Sequence, residues 1–492
     1  MKTNSLHKLN FRSISLDTGL FRVIYLMLIS FEMIAFLDIV SLVLKSVVLI
    51  WGLFILVHNF FIEKLAFKVK YNYLLWSFLT LMVITSVVHM SVWFIPNIAI
   101  TYYTAVCFFI FYGMYTERSK DQLEEEMSFI LKFFVYFGLI FGTLSILVLL
   151  FKREIHVGGY YLGIFRNRLI GVYTNSNILA FSMIEAIVAC DIINDSYMRS
   201  KFNLKRIKKW ILVLTVLVSF ICLFLTDSNA SFVFIIIYST IRVFCNVFFK
   251  SSYAYGVKLV RSLLVTFGFC ILAMSASFGL RDSCQKLIST VMIDIYKRED
   301  AFRRKFESRA TLGDLIDQKG LSKEKDQTEN KTEEPITNFH IGRQHYEVSS
   351  GRITLFKQGI EVFKHNPWIG IGRANLGLYS KKYLSGGLIH PDLHNGYLTI
   401  LVSCGVIGFL FFGIFSFLVG LDVCKHLFLY VNKEYFSTFC KLFSLLVAYC
   451  GYCLFEKAIL FDMTFMVGFF WSMLGYTVSY MYGQEKSPKR NR

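Results

Sequence analysis

The sequence predicts an all-α polytopic membrane protein of about 12 transmembrane helices, with one long, partly helical extracytoplasmic loop. Of its 492 residues, 55% are hydrophobic and 17% are charged, and the mean hydropathy is +0.53. An ordinary soluble domain carries charge at about a quarter of its positions. The hydrophobic residues fall into runs near the roughly 20 residues that a helix needs to cross the hydrocarbon core of a bilayer. A soluble fold would have to bury a dozen such helices in one core, so these observations favour a membrane protein.

Polar or charged segments separate the apolar runs and define the predicted spans. The spans cover residues 20–37, 39–60, 72–90, 98–115, 127–150, 178–193, 210–225 and 230–248, a ninth run that ends near residue 280, and residues 394–421, 436–455 and 459–480. This division predicts three parts: residues 1–280 with spans one to nine, residues 281–393 as the long loop carrying part of the candidate site, and residues 394–492 with spans ten to twelve and a basic cytoplasmic tail.

Basic residues in the short loops predict the orientation of the chain. The loops rich in Lys and Arg are residues 61–70, 194–209, 249–260 and 422–435, together with the C-terminus. Short loops of this kind face the cytoplasm, which also accounts for the net charge of +18 without nucleic-acid binding. Residues 152–177, 226–229 and 281–393 are then expected on the extracytoplasmic side.

The long loop contains one amphipathic stretch, RITLFKQGIEVFK at residues 352–364. Its apolar residues recur at the spacing of a helix with one buried face, so we expect a helix lying along the membrane surface. Residues 320–334 are rich in charge and poor in apolar residues, which predicts a segment with little fixed structure.

Polar side chains of chemical interest concentrate in residues 349–408. Arg352 opens the amphipathic stretch, the turn PWIGIGR contains Gly370, Gly372 and Arg373, and HPDLHNG leads into span ten with His394. Glycines permit a tight turn with the backbone close to a ligand. An ordinary helix-ending turn is the alternative interpretation of this glycine pair.

The order of these motifs resembles the O-antigen ligase and polymerase family of bacterial envelope proteins. The motifs are S-G-R, P-W-I-G-I-G, H-N-G-Y-L and G-V-I-G, within residues 343–415. The resemblance extends to the number of spans and the single long outer loop. It implies a glycosyltransferase that needs no metal or other cofactor, with a mostly helical membrane fold. Such an enzyme takes a glycan from undecaprenyl diphosphate and attaches it to an acceptor at the outer face of the cytoplasmic membrane.

Two further motifs can be compared with this family. Arg166 and Arg168 precede GVYTNSN, which corresponds to the family element G-x-x-x-x-P-N with Ser176 in place of proline. The resemblance implies that these arginines pair with diphosphate oxygens, a geometry that suits the planar guanidinium. An interfacial arginine that contacts lipid headgroups is the alternative. Asn229 occupies the place of a family arginine after Ser228, so we expect a plain turn at residues 226–229.

The predicted roles follow from the resemblance and from side-chain chemistry. His394 is the candidate general base, because imidazole titrates near neutral pH. His390 is a rival base, and a helix cap is the non-catalytic alternative for His394. Arg352 is the second catalytic candidate. Arg166, Arg168 and Arg373 are the other candidate ligands of the diphosphate, and Asn395, Gly370, Gly372, Asn177 and Glu185 are candidate supporting residues.

Two acidic residues, Glu185 and Glu456, lie within or at the end of predicted spans. Glu185 lies two turns below Asn177, where it could stabilise an arginine of the site. Glu456 lies next to Lys457 at the outer end of span eleven, either as a solvated ion pair or in contact with the site. Charges at membrane depth are costly and are functional candidates by default.

Three functions are compatible with these motifs. The first is a polymerase of O antigen, capsule or exopolysaccharide that transfers the glycan, with inversion, to another lipid-linked unit. The second is a ligase that transfers it to lipid A core, a teichoic-type acceptor or a protein. The third is a polysaccharide transporter or flippase, which is disfavoured because the two halves lack matching broken helices. The expected partners are undecaprenyl-diphosphate-linked oligosaccharide, an acceptor glycan or glycolipid and membrane lipids, with a flippase and chain-length regulator as further candidates and no nucleic acid.

Overall fold

The computed structural model describes residues 16–151, 155–157, 160–165, 168–202, 207–310, 352–430 and 433–482. The α-helices in these residues are α1 (Thr18–Phe31), α2 (Asp38–Phe61), α3 (Asn72–Val88), α4 (Phe94–Val106), α5 (Lys120–Leu150), α6 (Ser176–Ile193), α7 (Ser196–Lys201), α8 (Lys209–Thr226), α9 (Asn229–Lys250), α10 (Tyr255–Ala310), α11 (Arg352–His365), α12 (Leu376–Tyr383), α13 (Gly396–Lys425), α14 (Phe436–Tyr452) and α15 (Phe465–Tyr482). Short 3₁₀ or π turns continue α4 as far as Thr116 and α13 as far as Tyr430.

Eight helices of the described residues are long and apolar enough to cross a membrane. They are Ile39–Phe61, Phe94–Thr116, Lys120–Leu150, Ser176–Ile193, Lys209–Thr226, Asn229–Lys250, Tyr255–Cys284 and Gly396–Tyr430. The other predicted spans correspond to α15 and to the shorter apolar helices α1, α3 and α14. The mostly helical membrane fold is therefore confirmed, whereas the count of about 12 spans stays a prediction.

Three short strands depart from the predicted all-helical fold. They are β1 (Ile155–Val157), β2 (Tyr160–Phe165) and β3 (Arg168–Gly171), which form a small antiparallel sheet in that order. Aromatic and β-branched residues in this stretch favour strands, and buried Leu169 lies in β3 among α5, α6 and α8. Gly171 lies at a φ of +63°, where a Cβ atom would be 2.2 Å from Ser145. At Gly171, the sheet therefore packs closely against α5.

The first helix ends six residues earlier than the predicted span. The chain leaves α1 after Phe31 because the following turn binds the segment after β3. The amide of Ala35 donates to the carbonyl of Val172, and the amide of Thr174 donates to that of Met33, each at 3.0 Å. Backbone groups that would otherwise continue the helix are thus satisfied by a distant segment.

The predicted long loop begins as a helix. Residues 281–310 continue α10 without interruption, so hydropathy located the end of the apolar run but not the end of the helix. The predicted surface helix at residues 352–364 is present as α11. The charged stretch 320–334 lies outside the described residues.

The Gly-rich turn after α11 packs on a break in α13. Gly405 interrupts the helix with a φ of +65° and a ψ of −172°. The amides of Val406 and Ile407 donate to the carbonyls of Pro367 and Trp368, at 2.8 and 3.1 Å. A Cβ atom at Gly370 would lie 2.4 Å from the backbone of Ser403. These glycines allow two backbones to approach, so the turn is more than a helix-ending element.

Buried ion pairs join the helices at the end where the predicted cytoplasmic loops lie. Arg22 of α1 is fully buried and donates to Glu126 of α5 at 2.7 Å, and the hydroxyl of Tyr476 donates to the same carboxylate. Lys201 of α7 pairs with Glu124 of α5. Partnered charges of this kind hold a bundle together because removing one partner leaves the other buried and unpaired. The other end of the bundle carries the site described next.

Candidate functional site

Four chain segments line a cavity of about 290 Å³ at one end of the bundle. They are the β3–α6 connection (residues 168–177), the α8–α9 turn, the start of α11 and the residues before α13. The cavity is lined by Arg168, Asn177, Asp227, Ser228, Asn229, Ala230, Arg352, Leu355, Ile389, His390 and His394. Sites of this size and mixed polarity are typical of small-molecule binding.

The loop before α13 fixes the position of His394. Asn395 is the N-cap of α13, because its side chain accepts a hydrogen bond from the amide of Leu398 at 2.9 Å. Its side-chain amide donates to the carbonyl of Leu454, and the amide of Gly396 donates to that of Cys453. His394 itself has a φ of +46°, a left-handed conformation that is uncommon for residues other than glycine. The cap is therefore Asn395, and the imidazole of His394 is left for another role.

Glu456 holds two of the predicted site residues. One carboxylate oxygen lies 2.9 Å from Nδ1 of His394, and the other accepts a hydrogen bond from Arg352 at 3.1 Å. The guanidinium of Arg352 also lies over the ring of Phe455, with its central carbon 5.7 Å from the ring centroid. Glu456 is 12% exposed, so this pairing is largely shielded from solvent and held in one geometry.

The same carboxylate is linked to the β3–α6 connection. Asn177 donates from its side-chain amide to Glu456 at 3.3 Å and accepts a hydrogen bond from Arg168 at 2.6 Å. Arg168 also donates to the carbonyl of Thr226 at 2.7 Å. A continuous hydrogen-bonded chain therefore runs from Arg168 through Asn177 and Glu456 to His394. It joins elements that are far apart in the sequence.

The hydrogen bonds assign a tautomer to each of the two histidines. The amide of Asp392 donates to Nδ1 of His390 at 3.3 Å, so the proton of a neutral His390 is on Nε2. That nitrogen lies 3.5 Å from Nε2 of His394, while Nδ1 of His394 donates to Glu456. Nε2 of His394 is then the unprotonated nitrogen, as a general base requires. The imidazole of His390 faces this nitrogen at the limit of hydrogen-bonding distance.

Neighbouring charges raise the pKa of His394 above its usual value. The hydrogen bond from the imidazole to Glu456 is the largest cause, and burial of the ring acts in the opposite direction. The charge of Asp392 raises the pKa further, whereas the charge of Arg352 lowers it. The fixed carboxylate of Glu456 therefore stabilises the protonated imidazole, which makes His394 a stronger proton acceptor.

A second group of charges lies behind the histidine loop. Lys457 contacts Asp392 at 2.6 Å and Asp462 at 2.5 Å, and Arg373 lies 3.5 and 3.9 Å from the same two carboxylates. Burial by itself would raise the pKa of Asp392, but Lys457 and Arg373 lower it below its usual value. This network fastens the histidine loop to the segment between α14 and α15.

The structure brings together five of the predicted residues and places the others elsewhere. Arg168, Asn177, Arg352, His394 and Asn395 meet as described above. Arg373 is in the second charge group, outside the lining of the cavity. Gly370 and Gly372 pack against α13 and the α3–α4 region. Arg166 lies outside the described residues.

Within the described residues, the hydrogen bonds of Glu185 include no arginine, and its supporting role at the site stays a prediction. Its carboxylate is buried in α6, where one oxygen lies 3.5 Å from the hydroxyl of Tyr449. The other oxygen has no hydrogen-bond partner within the described part of the chain. Two helical turns separate Glu185 from Asn177, and α14 lies across that gap with Tyr449.

The sequence leaves one feature of the site open and gives no indication of another. Contact with the site is one of the two interpretations of Glu456, and its position at the end of an apolar run is the signal for it. The α8–α9 turn was predicted to be plain, but Asp227 and Asn229 line the cavity. Asp227 in turn forms an ion pair with Arg281 of α10, which also lies over the ring of Phe232. The sequence carries no local signal for this pair, because its partners belong to different helices.

A second cavity, of about 360 Å³, lies beyond Glu456. It is bounded by the end of α1, the start of α6 and the segment between α14 and α15. Its lining comprises Ile29, Glu32, Met33, Thr174, Ile178, Asp392, Glu456, Lys457, Asp462, Met463, Thr464, Phe465 and Met466. Glu456 therefore lines the second cavity, while its carboxylate binds Arg352, Asn177 and His394, which line the first.

Comparison with known proteins agrees with the motifs. No curated protein matches the chain. Residues 214–413 match the family model described as O-antigen ligase, a region that contains α9, α11 and the histidine loop. Over that region, the match confirms the resemblance inferred from the sequence motifs.

Proposed function

We propose that this chain is a surface-polysaccharide polymerase that transfers a glycan from undecaprenyl diphosphate to a sugar hydroxyl of another lipid-linked unit. The observation that carries the proposal is the contact of His394 and Arg352 with one carboxylate, Glu456, at a cavity that Arg168 also lines. A base and fixed cations beside one cavity are the groups that transfer from a diphosphate needs.

The diphosphate leaving group occupies the first cavity in this proposal. Arg168 and Arg352 present planar guanidinium groups there, which suit bidentate pairing with phosphate oxygens. Both are held by hydrogen bonds before the substrate arrives, so they stabilise the departing charge with little reorganisation. Asp227 would repel an anion in this cavity, and its ion pair with Arg281 offsets that repulsion.

The proposed reaction is a single displacement. Nε2 of His394 takes the proton of the acceptor hydroxyl, and the oxygen forms a bond to the anomeric carbon. The bond from that carbon to the phosphate oxygen breaks, and undecaprenyl diphosphate leaves with the electron pair. Glu456 keeps the imidazole in the correct tautomer and stabilises the imidazolium that forms. Attack from the face opposite the leaving group inverts the configuration at carbon one.

The position of the site supports an extracytoplasmic reaction. The connections that carry the site alternate along the chain with the Lys- and Arg-rich loops, so the two sets lie at opposite ends of the helices. Under the positive-inside rule, the site then faces outward. We therefore propose the cytoplasmic membrane of a bacterium as its location, with both termini in the cytoplasm.

Two substitutions test the proposal in a deletion strain that carries the gene on a plasmid. His394→Ala and Arg352→Ala are each expected to abolish the ladder of glycan chain lengths while protein abundance stays unchanged. His365→Ala, at the exposed end of α11, is a matched control and should retain most of the polymer. Arg261→Ala, on the exposed surface of α10, is the control for loss of an arginine. Near-normal polymer from both site variants would refute the mechanism.

The products of the deletion strain separate a polymerase from a ligase. Loss of the ladder, with single repeat units left on the carrier, supports a polymerase. Long glycan that remains on undecaprenyl diphosphate and is missing from its final acceptor would instead identify a ligase. A purified protein that extends a lipid-linked substrate without an ion gradient would exclude a transporter.

A further inference from the structure

We propose that the second cavity, beyond Glu456, binds the acceptor sugar, and that it selects a neutral or amino sugar over an anionic one. This inference rests on the proposed function, because it names the second substrate of the same site.

The position of the second cavity suits an acceptor. Glu456 lines this cavity, and its carboxylate binds Arg352, Asn177 and His394, which belong to the first. A sugar in the second cavity would approach the reacting centre across the pair of His394 and Glu456. The first cavity is lined by the arginines proposed for the diphosphate, which leaves the second cavity for the acceptor.

The polar lining suits sugar hydroxyl groups. Glu32 accepts hydrogen bonds from Lys45 at 2.5 and 2.6 Å, and Asp462 contacts Lys457 at 2.5 Å. A carboxylate has about four lone-pair positions, so each retains acceptor capacity after it binds a lysine. The lysines also fix the direction of these carboxylates. Fixed acceptors on a cavity wall are suited to hydroxyl donors.

The apolar lining suits the C–H face of a sugar ring. Met33 and Met463 line the same cavity, together with the buried ring of Phe465. Methionine side chains adapt to irregular surfaces, and an aromatic ring offers a broad apolar face. A ligand with hydroxyl groups on its rim and an apolar face is therefore complementary to this cavity.

The charges of the two cavities differ. Two arginines line the first cavity, whereas Lys457, the cation of the second among the described residues, lies between Asp392 and Asp462. Glu32 and Glu456 add further carboxylates to the wall of the second cavity. The cationic partners Lys45, Arg373 and Arg352 lie outside this lining, so an anionic sugar would meet carboxylates at the wall itself, which disfavours its binding. The diphosphate is directed to the first cavity for the same reason.

Separate binding measurements on the purified full chain in lipid nanodiscs test this assignment. The probes are undecaprenyl diphosphate and the oligosaccharide released by mild acid from the lipid-linked repeat unit of a deletion strain. Met463→Trp fills the second cavity and is expected to weaken oligosaccharide binding by about tenfold or more, with undecaprenyl diphosphate binding changed by less than about twofold. Arg168→Ala should show the opposite pattern. Met274→Trp, on the exposed face of α10, is the control for a new tryptophan in the membrane.

A second variant keeps the test independent of folding. Glu32→Gln preserves the shape of the wall and is expected to weaken oligosaccharide binding by roughly threefold to tenfold through one lost charged acceptor. Retained binding of undecaprenyl diphosphate shows that each variant is folded. Equal weakening of both probes by Met463→Trp, or no effect of either variant on the oligosaccharide, would overturn the inference. Wild-type protein that binds the oligosaccharide but never transfers to it would refute the proposed function and leave the cavity assignment standing.

Discussion

His394 and Glu456 are 62 positions apart in the chain, and the imidazole Nδ1 lies 2.9 Å from a carboxylate oxygen. The contact is made between the loop that opens α13 and the turn that follows α14. It sets the tautomer of the imidazole and raises its pKa. The other oxygen of the carboxylate accepts hydrogen bonds from Arg352 and Asn177. One acidic residue therefore orients the proposed base and a proposed leaving-group ligand together.

Glu456→Gln is expected to lower the transfer rate by about 10² or more, because the imidazole loses the group that orients it. The pH dependence should change as well. The base must be unprotonated, so activity falls as the pH drops through the pKa of His394. Glu456 raises that pKa, so its removal should move the acidic limb of the pH–rate profile to lower pH.

The measurement is the rate of chain extension against pH for wild type and variant. Glu361→Gln, on the exposed face of α11, is the matched control and should leave the profile unchanged. An acidic limb that stays in place in Glu456→Gln would show that the contact does not tune the base.

Arg281→Gln is expected to weaken the binding of undecaprenyl diphosphate by about tenfold, because Asp227 would then face the anion without its partner. Asp227→Asn removes the repulsion and should bind the diphosphate at least as tightly as wild type. The double variant should recover most of the affinity lost in Arg281→Gln. The dissociation constants of these three variants and of wild type form a double-mutant cycle.

The same cycle separates this role from a purely structural one. If the ion pair only fastened α10 to the α8–α9 turn, Asp227→Asn would be as damaging as Arg281→Gln. The double variant would then show no recovery.

Gly405→Ala is expected to destabilise the protein by roughly 1–3 kcal/mol through steric overlap and backbone strain. A Cβ atom there would lie 2.2 Å from the carbonyl oxygen of Trp368, and the backbone has a φ of +65°. Gly413→Ala on the same helix is the control, since nothing lies within 4 Å of its Cβ position. Thermal unfolding in detergent, followed by size-exclusion chromatography, compares the two. Equal midpoints would indicate that the break in α13 tolerates a side chain.

Glu185→Gln is expected to change the transfer rate by less than about threefold, since its described hydrogen bond is to Tyr449 and not to an arginine of the cavity. Arg168→Gln, at the first residue of β3, is the comparison and should reduce transfer strongly. A loss of transfer in Glu185→Gln as large as that in Arg168→Gln would restore the role that sequence position suggested for this glutamate.

Hydropathy located nearly all of the helices, because a run of about 20 apolar residues has few stable alternatives in a bilayer. It did not reveal where α1 ends, how far α10 continues or where β1, β2 and β3 form. These features depend on hydrogen bonds between distant segments, such as that of Ala35 with Val172. Local composition carries no information about such partners.

The features of the site can likewise be separated into those that the sequence predicts and those that depend on tertiary contacts. The sequence by itself determined the spans, the basic loops and the residue types at the span ends, including Arg168, Arg352 and His394. Those properties are local, since each is read from one short stretch and its hydropathy. Only the tertiary structure decided that Glu456 joins these residues, that Glu185 contacts Tyr449, and that Arg281 reaches Asp227. The reason is physical: contacts between loops are set by how whole helices pack, and that packing depends on many side chains far apart in the chain.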